Sequence, residues 1–185
     1  MSAEAGTERT SESFGLDPLI RTTLILLYGA LALPLPLMAS GNARLLMLLA
    51  LPLGLLLVLA LLSERVTVSA EALERSWPAW AAAAFRGSSW RVEWPLVERL
   101  VPVTTSQGGR VHYIRTGDGR HLLLPQRLER FDRFLELLHE RSGLDLAGVG
   151  RLTPPWTYRL LAVLSGLMLA GEMTAGALGW TSGPI

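Results

Sequence analysis

The chain has 185 residues, 50% of them hydrophobic and only 18% charged, with a formal net charge of +1 and a mean hydropathy of +0.34. Forty residues are leucine, none is cysteine and none is lysine, so all 17 basic residues are arginine. This balance points to a bilayer. It excludes disulfides, thiolate nucleophiles and cysteine-based metal centres, removes P-loop-lysine and Schiff-base chemistry, and argues against nucleic acid as a partner.

Residues 1–18 are polar and small at the start, with Glu4, Glu8 and Glu12 against Arg9, and read as a disordered N-terminal segment. Its acidic character is unlike a secretory n-region, so no cleaved signal is expected. Residues 19–63 follow as a transmembrane helical hairpin. Between Arg21 and Arg44 lie 22 residues without a charge, and between Arg44 and Glu64 another 19. Together they exceed one crossing of about 20 residues, and Ser40-Gly41-Asn42 supplies the turn. Pro34 and Pro36 end or bend the first helix, and Pro52 removes one backbone hydrogen bond from the second.

Residues 64–145 are different material. The stretch from Glu64 to Pro155 holds 13 arginines and 11 acidic residues. Alternating or β-branched runs predict strands at Arg65–Ser69, Ser89–Trp94, Val97–Thr105, Arg110–Thr116 and Arg120–Leu124. Asp118-Gly119 reads as a two-residue hairpin loop, which sets His112 opposite Pro125 and His121 opposite Thr116. Gln126 to Arg141 changes to helical period, with Leu128, Phe131, Phe134, Leu135 and Leu138 on one face and Gly143 as the stop. Strands closed by one helix make a small β-rich domain of about 80 residues.

Residues 146–156 form a linker ending in Thr153-Pro154-Pro155, residues 157–180 a third transmembrane helix, and residues 181–185 a tail. Trp156 and Trp180 stand at the ends of that helix as interfacial anchors. The fold class is membrane α plus a small α+β domain. Arginines crowd the N-terminal segment and the central domain, so both are expected in the cytoplasm; three spans put the C-terminus on the far side.

No nucleophile elbow, phosphate-binding glycine loop or paired catalytic carboxylates occur, so no enzyme, catalytic residue or cofactor is expected. His112, His121 and His139 lack metal-ligand spacing and read as surface or edge histidines. Trp77, Trp80, Trp90 and Trp94 fall within 18 residues. They suit either an aromatic belt at the membrane interface, chiefly Trp77 and Trp80, or the core of a small sheet. Arg127, Arg130 and Arg133 suit anionic lipid or an acidic partner, or, interleaved with Glu129, Asp132 and Glu136, an internally paired solvated face. In the last span, Ala162, Gly166, Ala170 and Thr174 repeat every four residues, a spacing for close helix packing. Glu172 is the only charge there. It offers a bond to a partner helix, a proton or ion pathway, or a residue in the headgroups.

The stretch from Val66 to Leu144 resembles bacterial pleckstrin-homology-like (PH-like) domains of small membrane proteins. The likeness rests on the entry strand with Leu73, the run Trp94-Pro95-Leu96-Val97-Glu98-Arg99-Leu100, the hairpin ending Leu124-Pro125, and the closing helix. The whole layout looks like small, largely uncharacterised cyanobacterial membrane proteins, with Thr105-Ser106-Gln107-Gly108-Gly109-Arg110 and the run from Arg151 to Tyr158 as the shared stretches. A more distant likeness is to the photosystem I assembly protein family, which also places two membrane helices ahead of a soluble β-rich region; the third span departs from it. These resemblances imply a thylakoid or plasma membrane and a non-catalytic assembly or scaffolding role, with membrane lipids and other membrane-protein subunits or a second copy as partners. The alternative is a transport or intramembrane accessory protein built around Glu172.

Overall fold

The computed structural model describes residues 11–106, 108–151, 154–177 and 179. In chain order its elements are β1 (Glu12–Gly15), α1 (Pro18–Ala32), α2 (Leu35–Met38), α3 (Gly41–Leu61), β2 (Arg65–Val68), β3 (Ala72–Ser76), α4 (Ala79–Ala82), β4 (Trp90–Glu93), a 3-10 turn (Trp94–Leu96), β5 (Val97–Thr104), β6 (Arg110–Thr116), β7 (His121–Leu123), α5 (Phe131–Ser142) and α6 (Pro155–Ala177). The fold is mixed α+β, and the described residues hold two small sheets and three helical stretches long and apolar enough to cross a membrane: Pro18–Met38, Gly41–Leu61 and Pro155–Gly176. Two compact units result. One takes the described residues of Met1–Leu16 and Glu64–Leu152, the other those of Asp17–Ser63 and Thr153–Ile185.

In the helical unit, Asp17 caps α1 by accepting from the Leu19 amide at 2.9 Å, and Pro18 occupies the first turn, where no amide hydrogen is needed. Leu33 and Pro34 separate α1 from α2, with Pro34 as the N-cap of α2 and Pro36 in its first turn, where no amide hydrogen is needed. Gly41, at φ 56°, opens α3, which runs on through Pro52. The described part of the third span is α6, beginning at Pro155; the tail and Trp180 lie outside the described residues.

The sheet unit pairs β1-β2-β3-β4 in one antiparallel sheet and β5-β6-β7 in another. Their inner faces and α5 enclose one core built on Phe14, Val66, Leu73, Val92, Ile114, Leu124, Phe131, Phe134 and Leu138. The first strand corrects the expected disorder of residues 1–18 in its described part. Phe14 is fully buried and meets Phe134 edge-on at 5.6 Å, and Leu16 bridges to Leu128.

The hairpin register differs by one from expectation. Thr116 and Arg120 bracket a three-residue loop, with Gly119 at φ 83° in the left-handed position after a turn closed by its amide bonding to the Thr116 carbonyl. The Thr116 hydroxyl also bonds the Asp118 carboxylate. Tyr113 therefore pairs with Leu123, Arg115 with His121, and the Leu124 amide donates to the His112 carbonyl. The closing helix starts at Phe131, not Gln126, because Leu128 is spent on the bridge to Leu16 and Arg130 takes a left-handed conformation at φ 45°. Leu146 and Val149 pack on the core, so this part of the expected linker belongs to the sheet unit.

Candidate functional site

The helical unit holds the residues singled out on the last span. Thr23 of α1 is fully buried, its hydroxyl 2.7 Å from the Leu19 carbonyl and 3.2 Å from the Tyr158 carbonyl of α6. Further along, a Cβ at Gly29 would meet the Leu169 side chain of α6 at 3.6 Å. Ser165 is buried, and its hydroxyl has no hydrogen-bond partner among the described residues. The face of α6 that packs within the unit thus runs through Ser165 and Leu169. At 100° per residue Gly166, Ala170 and Thr174 lie about 100°, 140° and 180° from Ser165, so the small stripe turns away from that face. Gly166 is half-buried with no atom within 4 Å of its Cβ position, and Ala170 and Thr174 are exposed. Thr174 donates its hydroxyl to the Gly171 carbonyl at 2.8 Å, so it brings a methyl rather than a free donor. Glu172, seven residues after Ser165, falls almost in line with Ser165 and roughly 120° from Gly166. It is half-buried and makes no ion pair or hydrogen bond among the described residues. The structure therefore brings Gly166, Ala170 and Thr174 together and sets Glu172 apart.

The tryptophans divide. Trp77 is 9% exposed, stacked on Phe85 at 5.1 Å and covered by the Arg75 guanidinium at 4.8 Å. That guanidinium is held by Glu64 through two bonds of 2.8 and 3.0 Å. Trp94 is buried, its indole donating to the Ser69 carbonyl at 3.0 Å, and Trp90 packs on the core. These three are packing residues, which corrects the interfacial reading of Trp77. Trp80, on the short helix α4, is 56% exposed, and Trp156 in the first turn of α6 is exposed as well.

The arginines before and on α5 are largely engaged. Arg130 bonds Glu12 at 2.8 Å and the Ser13 carbonyl at 3.3 Å and covers the Phe14 ring at 5.1 Å. Arg133 pairs with Glu136 at 3.1 Å and Glu12 at 3.5 Å. Both fasten β1 to the helix. Arg127 is exposed and makes no ion pair among the described residues.

His112 is not a surface histidine. It is 5% exposed, with Nδ1 3.4 Å from Gln126 Nε2, which also donates to the Gly150 carbonyl at 2.7 Å. A carbonyl only accepts, so the Gly150 bond fixes the amide orientation and makes His112 Nδ1 an acceptor. Desolvation, aided by the Arg110 charge, holds the imidazole below its ordinary pKa. Its signal was in the register: even-numbered residues of β6 face inward. Among the described residues no three His, Asp or Glu side chains gather as a metal site.

Sequence reasoning missed the outward face of β5–β7, where Val101, Val103, Val111, Tyr113 and Leu123 align. The readable signal was a breakdown of alternation in Val111-His112-Tyr113-Ile114, apolar on both faces.

No family model matches the chain, and no solved structure matches it. The chain is 38% identical over 178 residues to slr0269, a protein of the cyanobacterium Synechocystis described as uncharacterised. The match covers 93% of this chain and 89% of that relative.

Proposed function

The chain belongs to the same family as that Synechocystis protein, and from this premise we propose that it is a non-catalytic integral membrane protein that acts by binding, as an assembly or scaffolding factor for a membrane complex. The observation that carries the proposal is the small-residue stripe of α6. With α6 packed within its own unit through Ser165 and Leu169, Ala170 and Thr174 are exposed and the Cβ position of Gly166 meets no atom within 4 Å among the described residues. In lipid, close backbone approach at such residues is a main source of helix association. The two-sheet unit with its closing helix supports a PH-like reading by layout. The 13 arginines between Glu64 and Pro155 favour a cytoplasmic placement for it and for the N-terminus, with the C-terminus beyond the membrane. The cyanobacterial relative favours a thylakoid or plasma membrane.

Purification from native membranes in mild detergent tests the role. Co-migration with a larger membrane complex supports it. A lone small oligomer that carries ions or solutes across vesicles would replace it with the transport reading built around Glu172.

A further inference from the structure

We propose that the outward face of β5–β7 docks onto the headgroup layer of an anionic bilayer. His112, Ile114 and Thr116 of β6 are buried, so Val111, Tyr113 and Arg115 point the other way. The register extends each into a row. Val103 lies beside Val111, Val101 and Leu123 flank Tyr113, and Arg99 and His121 flank Arg115. Two rows are apolar and the third is basic. Val103 is 43% and Leu123 39% exposed.

The other sheet of the same unit shows what an ordinary solvated face looks like. Its matching outward row is Ser13, Thr67, Glu74 and Arg91, polar throughout, with Arg91 3.6 Å from Glu74. An antiparallel sheet with one face on a core normally turns polar residues outward. β5–β7 do not: Val101, Val111 and Tyr113 are half-buried and Val103 and Leu123 exposed, and an outward apolar face of this kind marks a binding surface.

Charge and edge chemistry narrow the occupant. Residues 97–124 carry four arginines (Arg99, Arg110, Arg115, Arg120) against Glu98 and Asp118. Glu98 is engaged by Arg115 at 3.6 Å and Asp118 by Arg120 at 2.7 Å, while Arg99 makes no ion pair among the described residues. The face therefore offers apolar side chains and a net positive charge, the pair of properties that a headgroup layer with anionic lipids complements. Strand addition by a peptide or second copy is opposed at the open edge of β5. The Thr105 amide bonds the Gly109 carbonyl at 2.7 Å, and this phase turns the Pro102 nitrogen, which has no hydrogen, to the open side. Eight side chains are also few beside the roughly 20–30 residues a side of a stable protein interface. A weak patch suffices for a surface to which the unit is already tethered. Only two residues separate β1 from α1, and three separate α3 from β2. The proposal rests on the reading of the three long helices as spans.

Because the chain has no cysteine, Val103→Cys can carry a single environment-sensitive fluorophore in the full-length protein. The labelled protein is placed in nanodiscs of phosphatidylcholine, with or without about a third phosphatidylglycerol. Co-elution with the discs reports the spans independently of the label. The label is expected to be shielded from the neutral quencher acrylamide in anionic discs, and to be exposed in phosphatidylcholine alone or at high salt. A control label at Glu140→Cys on α5 stays exposed throughout. At about 1 kcal/mol per arginine near an anionic surface, Arg99→Gln with Arg115→Gln should weaken docking about thirtyfold. Equal quenching at residue 103 in both discs, with the protein retained, overturns the docking face alone. So does shielding in detergent that grows with protein concentration, which would assign the face to a second copy. Failure to enter discs overturns the spans and the docking face together.

Discussion

The Tyr28 hydroxyl donates to the Leu51 carbonyl at 2.5 Å, joining α1 to α3, and it does so in space that Gly54 leaves empty. A Cβ on Gly54 would stand 2.5 Å from that hydroxyl and 3.2 Å from two ring carbons. A hydroxyl displaced into hydrocarbon loses its partner, which is costly there. Tyr28→Phe should cost about 0.6 kcal/mol, the usual size of a polar contact between membrane helices. Gly54→Val should cost more, about 2 kcal/mol, from overpacking. Since removing the hydroxyl also removes the closest clash, the double variant should be less destabilised than the sum. Unfolding of the protein in mixed micelles by added dodecyl sulfate measures all three; strictly additive costs would show that the two residues do not meet.

Phe14 gives the second prediction. It is fully buried between β2 and α5, with Phe134 edge-on and Arg130 over its ring. Phe14→Ala should destabilise the sheet unit by about 3–5 kcal/mol, as for other large-to-small core changes. Glu12→Ala removes exposed and half-exposed ion pairs to Arg130 and Arg133 and should cost under about 1 kcal/mol. Chemical denaturation followed through the tryptophans of the unit ranks the two; a larger loss for Glu12→Ala would mean that charge, not burial, orders β1.

What the sequence makes legible follows the strength of each physical signal. The first two long helices are readable because runs of 22 and 19 uncharged residues leave few other uses for the chain, the third because only Glu172 is charged after Arg159, and the break between α1 and α2 falls beside Pro34 and Pro36. β1 is not readable: between polar residues and Pro18 it offers little but Phe14, and its order comes from an edge at β2 and a ring on α5. The hairpin is legible in kind but not in register. Asp118-Gly119 serves equally as a two-residue loop or as the end of a three-residue one, and the Thr116 contacts select the latter. Trp77 and Trp80 carry the same compositional signal, and only the packing of Phe85 and Arg75 separates a covered ring from an exposed one. Glu172 and the small stripe share a span, yet helical phase puts them on different faces.

His112 makes the stability of the sheet unit pH-dependent. Burial depresses its folded-state pKa below the unfolded value, so the unfolded chain binds more protons over the window between the two. Stability is complete above the unfolded value of about 6.5 and is lost as pH falls below it. Protonation also turns Nδ1 into a donor facing the Gln126 amide nitrogen, which the Gly150 carbonyl holds in place. Thermal midpoints should therefore fall on acidification from neutral pH. His112→Leu should flatten this stretch of the curve, and Arg110→Gln should shrink the decline, because removing a repulsive charge brings the folded-state pKa closer to the unfolded value. An unchanged slope in His112→Leu would locate the titration elsewhere.

The last prediction separates the two features of α6. Glu172 lies 17 residues after Pro155, about 26 Å along a helix rising 1.5 Å per residue, which brings it near the far side of a core about 30 Å thick. At the centre a lone carboxylate would cost about 3 kcal/mol; near the interface, where water and headgroups reach it, it costs far less. Its half-burial in line with Ser165, away from Gly166, Ala170 and Thr174, removes it from the surface that a docking helix would cover. If the proposed scaffolding role holds, Glu172→Gln and Glu172→Leu should both retain association with the partner complex. Gly166→Leu and Ala170→Leu should weaken it at least tenfold, because each fills the groove through which backbones approach, a contact that contributes about 1.4 kcal/mol or more at such a difference. Pull-down from solubilised membranes, with all four variants at equal expression, reads the contrast directly. Detachment by Glu172→Leu but not by Glu172→Gln would assign the partner a hydrogen bond to the carboxyl group instead, and normal association in Gly166→Leu would take the stripe out of the interface.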